Sequence, residues 1–473
     1  MHSVLQEAED KSTHLSPETL RTILEDAIQT VLDKGTHHRV NAFVRNRKLT
    51  LSDLIGLIFH LQSSNLNIQI ARFVGYDPKK VFTGAALTAA RKKLSYHFFE
   101  EVFTIVKQKL QELNCMIYFF KGLRAIAIDG SNLPEETLGK DPEDLVKTRS
   151  DTLCRAGIYM VAAQDTFARM FVDMEIQRIT QKNESAAAKL LCTRLACGPI
   201  TVFIFDRGFH CFDLETQIQK SGHYYLVRAK KRDFYNLLPK KLHDQDGELD
   251  ITVDKIFTSR NLKKNQNDDI HHYVQKNNFS YFDDNGEYRC RIRLLKIKIG
   301  KHDDAEDPDD EYEYLITNLS EEYTLDDIRK FYKSRWGIEV AFKELKRNIG
   351  LIAVHARKQD LIKQEIWAAL TLCNLSSAAI AYCDQQIKEE EEAGMIDATT
   401  ESQILPAKQH RYRYQTNRKY AMELCRDFFA YKILDEDVLI SLIKRHKTPV
   451  KEGTRYFKRN VISRNYSNQH RLL

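Results

Sequence analysis

The chain has 473 residues, of which 42% are hydrophobic and 29% are charged, and it carries a net charge of +6. This length allows about two to four domains with a full-sized core. The N-terminus is polar and no apolar run reaches membrane-spanning length, so we expect a cytoplasmic protein with no secretory signal and no membrane partner. Nine cysteines without a CxxC pair argue against a zinc module or a disulfide framework.

Residues 1–120 have the pattern of a helical region. Apolar residues recur every three or four positions between Ser16 and Gly35, and the same spacing returns at 50–62 and 96–113. Basic residues cluster between these segments. We therefore predict that residues 1–120 form a helical DNA-binding region, although no helix-turn-helix signature identifies the helix that reads DNA.

From residue 121 the pattern changes to strands. The predicted order is strand, strand, strand, helix and strand, for the segments 125–128, 156–163, 170–176, 183–196 and 200–205. We interpret residues 121–221 as the first part of a catalytic core. Asp129 and Asp206 each follow a buried strand, where a cleft can open at the edge of a sheet. A single aspartate in such a place is more often a turn or cap residue, and that alternative stays open.

The second half of the chain divides into three further regions. Residues 222–318 are rich in predicted strands and form an insertion. Residues 319–385 form the second part of the core, with a helix whose start is indicated by a capping box at Thr324 and Asp327. Residues 386–473 are predicted to form a C-terminal helical region with a basic tail, and the acidic run 389–392 is interpreted as an exposed linker.

The stretch "YKSRWGIEVAFKELK" places Tyr332, Arg335, Glu339 and Lys346 at steps of three, four and seven. These steps return to the same face of an α-helix, beside an apolar stripe. The simplest alternative is a solvated face with one Arg335–Glu339 ion pair, worth only a few tenths of a kcal/mol.

Two aspartates at strand ends and a glutamate on a nearby helix would form a set of hard oxygen ligands. Asp129, Asp206 and Glu339 suit Mg²⁺ or Mn²⁺, which accept phosphate oxygens as further ligands. Two such ions can stabilise the attacking and the leaving oxygen of a phosphoryl transfer. Arg335 and Lys346 are the cations that such a site needs for the phosphate oxygens.

With these residues the chain resembles the insertion-sequence-four family of DDE transposases. The matching features are "AIDGS" around Asp129, "FDRGF" around Asp206, and the motif Y-x2-R-x3-E-x6-K that ends at Lys346. The resemblance covers residues 121–360. It implies an α/β fold with an RNase H-like mixed sheet core, a β-rich insertion, and helical regions at both ends of the chain.

The resemblance also implies an activity and its partners. The protein would cut transposon ends and join them to target DNA, through a DNA hairpin and as a homodimer on double-stranded DNA with terminal inverted repeats. Asp129, Asp206 and Glu339 would be catalytic and metal-binding residues. The predicted DNA-binding residues are Tyr332, Arg335, Lys346, Trp336 and Arg207. We expect such a protein to be cytoplasmic and associated with the nucleoid.

The C-terminal tail agrees with a polyanionic partner. Residues 441–473 contain nine Lys or Arg and one acid, with three aromatic residues among them. A solubilising tail is the alternative. Three other functions also stay open: a metal-dependent nuclease of the same fold, an inactive DNA-binding protein derived from a transposase, and a glycosidase with paired acids. Two tryptophans in the whole chain are few for a sugar-binding platform.

Overall fold

The computed structural model of the protein describes a large part of the chain. The described residues are 9–38, 42–43, 48–61, 65–135, 145–147, 154–260, 269–298, 311–352, 354–392, 414–431 and 435–449. Most of the predicted basic tail therefore lies outside the described residues. Of the tail cations that are described, Lys444 donates a hydrogen bond from Nζ to Glu390 Oε1 at 2.6 Å.

A ten-stranded mixed sheet forms the centre of the molecule. Its strands are β3 (Arg124–Glu135), β4 (Val146–Lys147), β5 (Cys154–Asp165), β6 (Met170–Arg178), β7 (Thr201–Phe205), β8 (Tyr224–Arg228), β9 (Leu249–Thr258), β10 (His271–Tyr273), β11 (Glu287–Lys298) and β12 (Tyr312–Thr317). Two small sheets pair β1 (Glu9–Asp10) with β2 (Tyr118–Phe119), and β13 (Tyr414–Thr416) with β14 (Lys447–Pro449).

Five neighbouring strands have the order β6–β5–β3–β7–β8. Strand β5 runs antiparallel to both of its neighbours, β6 and β3. Strand β7 runs parallel to β3, and β8 runs parallel to β7. This is the arrangement of an RNase H-like core, and it confirms the predicted fold class. Beyond β8 the sheet continues through β12, β11, β9 and β10, so the strand-rich segment extends the same sheet.

Helices cover both faces of the sheet and form the two ends of the chain. They are α1 (Pro17–Lys34), α2 (Leu51–His60), α3 (Leu66–Phe73), α4 (Gly84–Arg91), α5 (His97–Glu112), α6 (Glu184–Leu195), α7 (Phe212–Lys220), α8 (Lys231–Leu237), α9 (Leu325–Ser334), α10 (Trp336–Lys343), α11 (Gln359–Glu392), α12 (Arg418–Arg426) and α13 (Glu436–Arg445). The predicted N-terminal helices are confirmed as α1, α2 and α5; the short helices α3 and α4 were not predicted.

The alternation of side chains along β3 decides which helices meet which face. Ile126 and Ile128 belong to the apolar cluster that contains α6 and α7. Ala127 and Leu133 belong to the cluster that contains α10 and α11. Because successive side chains of a strand point to opposite faces, Asp129 lies on the α10 face of the sheet.

The long helix α11 is the central element of the helical part. It meets the length and composition of a membrane span, contrary to the expectation that no segment does, but 89% of its most apolar window is buried inside the protein. Residues of α1, α2, α5, α12 and α13 share its apolar cluster. The acidic run 389–392 was predicted to be a linker; that was wrong, because it forms the last turn of α11.

Candidate active site

Asp129 and Asp206 lie side by side where two parallel strands separate. The pairing of β3 with β7 runs as far as Ile128 and Phe205, and the two aspartates are the next residues. Neighbouring strands are about 4.8 Å apart, so both carboxyl groups emerge at one place. The prediction that Asp129 ends its strand was wrong, because β5 stays paired with β3 as far as Glu135. The cleft opens on the β7 side only.

The environment of Asp129 disfavours its charged form. The pKa of the Asp129 carboxyl is raised to about 6, mainly by burial, and the negative charges of Glu339 and Asp206 contribute to this rise. The backbone N–H of Gly130, which donates to Asp129 Oδ1 at 2.8 Å, and the cation Arg335 act in the opposite direction. Asp206 and Glu339 are thus close enough to Asp129 to disfavour its charged form.

Glu339 reaches this edge from α10. The predicted single helix is divided: α9 starts at the predicted capping box of Thr324 and Asp327 and ends at Ser334, α10 follows from Trp336, and a π-helical turn occupies 344–348. The apolar side of these segments is buried, as predicted, and it packs α10 against the sheet. Glu339 itself is about one third exposed, on the side that faces the cleft.

Arg335 and Tyr332 are buried beside the carboxylates. The exposed fractions of these residues are 4% and 3%, so the alternative of a solvated face is wrong. Arg335 Nη2 donates to Glu339 Oε1 at 3.1 Å, and the guanidinium carbon lies 5.7 Å from the centre of the Tyr332 ring. Burial raises the pKa of the Tyr332 hydroxyl. Among the described residues, Tyr332 Oη and Arg335 Nε have no hydrogen-bond partner.

Lys346 reaches the same strand as Asp129. It lies in the π-helical turn, and its Nζ donates to Ser131 Oγ at 2.7 Å and to the carbonyl oxygen of Asn132 at 2.5 Å. Burial lowers the pKa of this amine. Because Ser131 is two residues beyond Asp129 on the same face of β3, Lys346 stands next to the carboxylates.

Trp336 and Arg207 lie at the surface beside the cleft. The side chain of Trp336 is 53% exposed, and the guanidinium carbon of Arg335 is 5.2 Å from its ring centre. Arg207 directly follows Asp206 and is exposed. Both are placed where they can meet a large ligand that occupies the cleft.

Sequence reasoning missed a fourth acid and its cation. Glu313 is on β12, which runs antiparallel to β8, so it lies at the same edge of the sheet as Arg228. Burial raises the pKa of Glu313, Asp206 raises it too, and Arg228 and Arg335 lower it. A glutamate inside a predicted strand was the available signal, but its position depends on a strand pairing that spacing does not reveal.

Gly130 is required by close packing on the other face of the sheet. A Cβ atom there would overlap the hydroxyl of Tyr159, which donates a hydrogen bond to Glu184 at the start of α6. The glycine of "AIDGS" is therefore required because there is no room for a Cβ atom. Its absence lets Tyr159 and Glu184 pack directly behind Asp129.

The donor set fits a divalent cation. Asp206 Oδ1 is buried, and among the described residues it has no hydrogen-bond partner. Burial is the main cause of the raised pKa of Asp129, and the charges of Glu339 and Asp206 add to it, so a divalent cation would favour the ionised carboxylate. In the described part of the chain, however, no three or more His, Cys, Asp or Glu side chains are grouped as a metal site. Shared ligation by the three carboxylates stays a prediction.

An RNase H-like sheet with carboxylates and buried cations at the ends of its parallel strands is suited to phosphoryl transfer. Comparison with family models agrees, because the model of the transposase DDE domain matches residues 120–375. The chain belongs to this family of transposases. Comparison with curated proteins gave no match.

Among the solved structures that match this chain, the following one is similar across most of its length. It is the cryo-EM structure of the piggyBac transposase synaptic complex with hairpin DNA. The sequence identity is 10% and the TM-score is 0.40, and the match covers 93% of this chain and 80% of the other chain.

Proposed function

We propose that the protein is a DNA transposase of the insertion-sequence-four type that cuts transposon ends and joins them to target DNA. The observation that supports this proposal is that Asp129 and Asp206 follow neighbouring parallel strands of an RNase H-like sheet, with Glu339 near enough to raise the pKa of Asp129, in a chain of the transposase DDE family. A nuclease of the same fold shares this edge, so the products of the reaction must separate the two.

Asp129, Asp206 and Glu339 would hold Mg²⁺ or Mn²⁺, which when bound activates the attacking hydroxyl group and stabilises the leaving oxygen. Arg335 holds Glu339 in place and keeps Nε available for a phosphate oxygen. An ammonium group has three donors, and Lys346 uses two of them on β3, so one remains for DNA.

The finer steps of the reaction are part of the same proposal. Tyr332 Oη, buried and without a partner among the described residues, would contact a phosphate while the cut end forms a hairpin. Trp336 and Arg207 would contact double-stranded DNA outside the cleft, where both are exposed. The protein would act as a homodimer on paired terminal inverted repeats, in the cytoplasm and at the nucleoid.

The test uses DNA fragments that flank the protein's own gene. The purified full chain is incubated with these fragments, a supercoiled target plasmid and either Mg²⁺ or Mn²⁺. A time course on denaturing and native gels separates nicked, hairpin and joined products. The proposal expects all three, in that order, at the ends of a flanking inverted repeat, and it expects none when EDTA is present.

Two results would contradict the proposal in different ways. Cleavage at many positions without joined product would identify a nuclease. Binding of the flanking DNA without any cleavage would identify a transposase-derived DNA-binding protein. A shuffled fragment of equal length is the matched control, because it keeps the phosphate backbone and loses the terminal repeat.

A further inference from the structure

The turn that carries Lys346 is supported by a helix from the C-terminal region. Directly after α10 the backbone widens, and the carbonyl oxygen of Glu344 accepts from Ile349 N at 3.0 Å, five residues on. Such π-helical turns are rare and occur mostly at functional sites. Because they are unfavourable in isolation, surrounding structure must hold them.

Both ends of this turn contact α12. At the first end, Arg418 Nε donates to Glu344 Oε1 at 2.9 Å and Arg418 Nη2 donates to Glu344 Oε2 at 3.2 Å. At the second end, Arg426 Nη1 donates to the carbonyl oxygen of Asn348 at 3.0 Å. The Asn348 side chain also lies 3.8 Å from Met422 Sδ. One helix therefore fixes the start and the end of the turn.

The contact between Arg418 and Glu344 is bidentate, with two guanidinium nitrogens donating to the two carboxylate oxygens. This geometry fixes the orientation of the two groups as well as their distance. Glu344 is only 9% exposed. Arg418 is additionally held by Ser377 Oγ of α11, at 3.1 Å from Nη2. The pair is thus attached to α11, much of which is buried in the core of the protein.

Between these two fixed ends, Lys346 extends towards β3 and donates to Ser131 and Asn132. We propose that Arg418 is a positioning residue of the active site, which holds the π-helical turn through Glu344 and so sets Lys346 beside Asp129. The role of Lys346 in DNA cleavage rests on the proposed function, whereas the positioning of its amine does not. Arg426 supports the same turn from its other end.

The test compares the reactivity of two lysines in the full-length protein without DNA. The protein is treated with an amine-reactive acetylating reagent, and the acetylation rates of Lys346 and of exposed Lys343 are measured by mass spectrometry. In Arg418→Met we expect the rate at Lys346, relative to Lys343, to rise at least about fivefold, since the turn opens more often. Arg418→Lys, which keeps the charge but loses the fork, should give an intermediate rate.

A second variant and a matched control complete the design. Arg426→Met removes the contact with Asn348 together with an ion pair to the partly exposed Asp427. It should also raise the rate at Lys346. Arg293→Lys disturbs another two-point contact, between buried Arg293 of β11 and Asp250 of β9, which belong neither to the turn nor to α12, and it should not raise that rate. The same effect in Arg293→Lys, or no effect in folded Arg418 and Arg426 variants, would overturn the proposal.

DNA cleavage gives an independent readout. If the protein cuts its flanking DNA, Arg418→Lys should lower the rate of nicking while the affinity for that DNA stays within about twofold, since Arg418 directs its donors at Glu344 and Ser377. If the wild-type protein cuts no DNA, the proposed function fails, and the acetylation experiment still decides the role of Arg418.

Discussion

Two groups of buried charged side chains in this protein differ in whether their polar atoms have hydrogen-bond partners. In the helical part, Arg91 of α4 donates to Glu365 Oε1 at 2.9 Å, to Gln364 Oε1 at 3.0 Å and to the carbonyl oxygen of Leu361. Although burial alone would raise it, neighbouring Arg91 and His355 lower the pKa of Glu365 to about 2. This network has opposite charges and full hydrogen bonding, as expected of a structural pair.

The edge of the sheet has the opposite character. Three carboxylates share Arg335, the pKa of Asp129 is raised, and Asp206 Oδ1 has no hydrogen-bond partner among the described residues. Such an arrangement costs stability, and perturbed carboxyls of this kind cluster at functional sites. The Arg91 network therefore has the character of a structural pair, whereas the carboxylates at the sheet edge have the character of a functional site.

The largest effect is expected from removing one carboxylate of the edge. If these carboxylates hold the metal as we propose, Asp206→Asn or Glu339→Gln should lower the rate of DNA cleavage by more than about 1000-fold, because a metal ligand is lost. DNA binding should persist, since the cations remain. The measurement is a cleavage time course together with a gel-shift titration. Asp326→Asn, an exposed acid at the start of α9, is the control and should cleave normally.

Disrupting the Arg91–Glu365 network should lower the free energy of unfolding and should not directly affect DNA cleavage. Arg91→Met leaves the Glu365 carboxylate buried without its cation, so we expect the free energy of unfolding to fall by about 3–5 kcal/mol. Urea unfolding followed by circular dichroism measures this loss. A loss below about 1 kcal/mol would show that water reaches Glu365 and that the two groups are less different than the contacts indicate.

The two groups should also give opposite pH dependences, measured without divalent metal. The folded-state pKa of Asp129 is raised from 3.8 to about 6, so its charge destabilises the fold by up to about 3 kcal/mol as pH rises through this window. The pKa of Glu365 is lowered from 4.5 to about 2, so its contribution is present above pH 4.5 and is lost as pH falls towards 2.

Unfolding titrations of two variants separate these contributions. Asp129→Asn should remove the loss of stability between pH 4 and pH 6, relative to the wild-type protein. Glu365→Gln should remove the loss below pH 4.5. Identical pH profiles of the wild type and Asp129→Asn would mean that solvent screens Asp129, and that the edge is not the crowded site that its contacts indicate.

A smaller effect on the cleavage rate is expected from substitutions of Arg335, the cation at the edge of the sheet. Arg335→Ala should lower the cleavage rate about 100-fold, since one oriented phosphate donor is lost. Arg335→Lys should restore part of it, because a point charge replaces a fork. Rates are compared at matched folded fractions. If both variants cleave like the wild type, Arg335 serves only to hold Glu339.

Several features of the sheet edge and of the helices beside it could be predicted from the sequence. Apolar runs that end in Asp129 and Asp206 predicted buried strands, and the capping box predicted the start of α9. These signals are local, because they depend on strand burial and on the first turn of a helix. The Tyr332–Arg335–Glu339 spacing likewise predicted contacts within one helical face, which the Arg335–Glu339 hydrogen bond confirms.

The parts that were missed depend on contacts between distant segments. The π-helical turn is held by Arg418, 74 residues beyond Glu344. Glu313 reaches the edge only through the pairing of β12 with β8. The burial of Arg335 follows from packing of α9 and α10 against the sheet, and helical spacing alone could not separate it from a solvated ion pair.

We propose that Asp129, Asp206 and Glu339 form a cation site at the edge of the sheet, and a Mn²⁺ titration tests this claim. The protein is titrated with Mn²⁺, and free Mn²⁺ is followed by electron paramagnetic resonance. We predict binding by the wild type and by Asp326→Asn, and at least about tenfold weaker binding by Asp129→Asn, Asp206→Asn and Glu339→Gln. Equal Mn²⁺ affinity in all five proteins would contradict the claim.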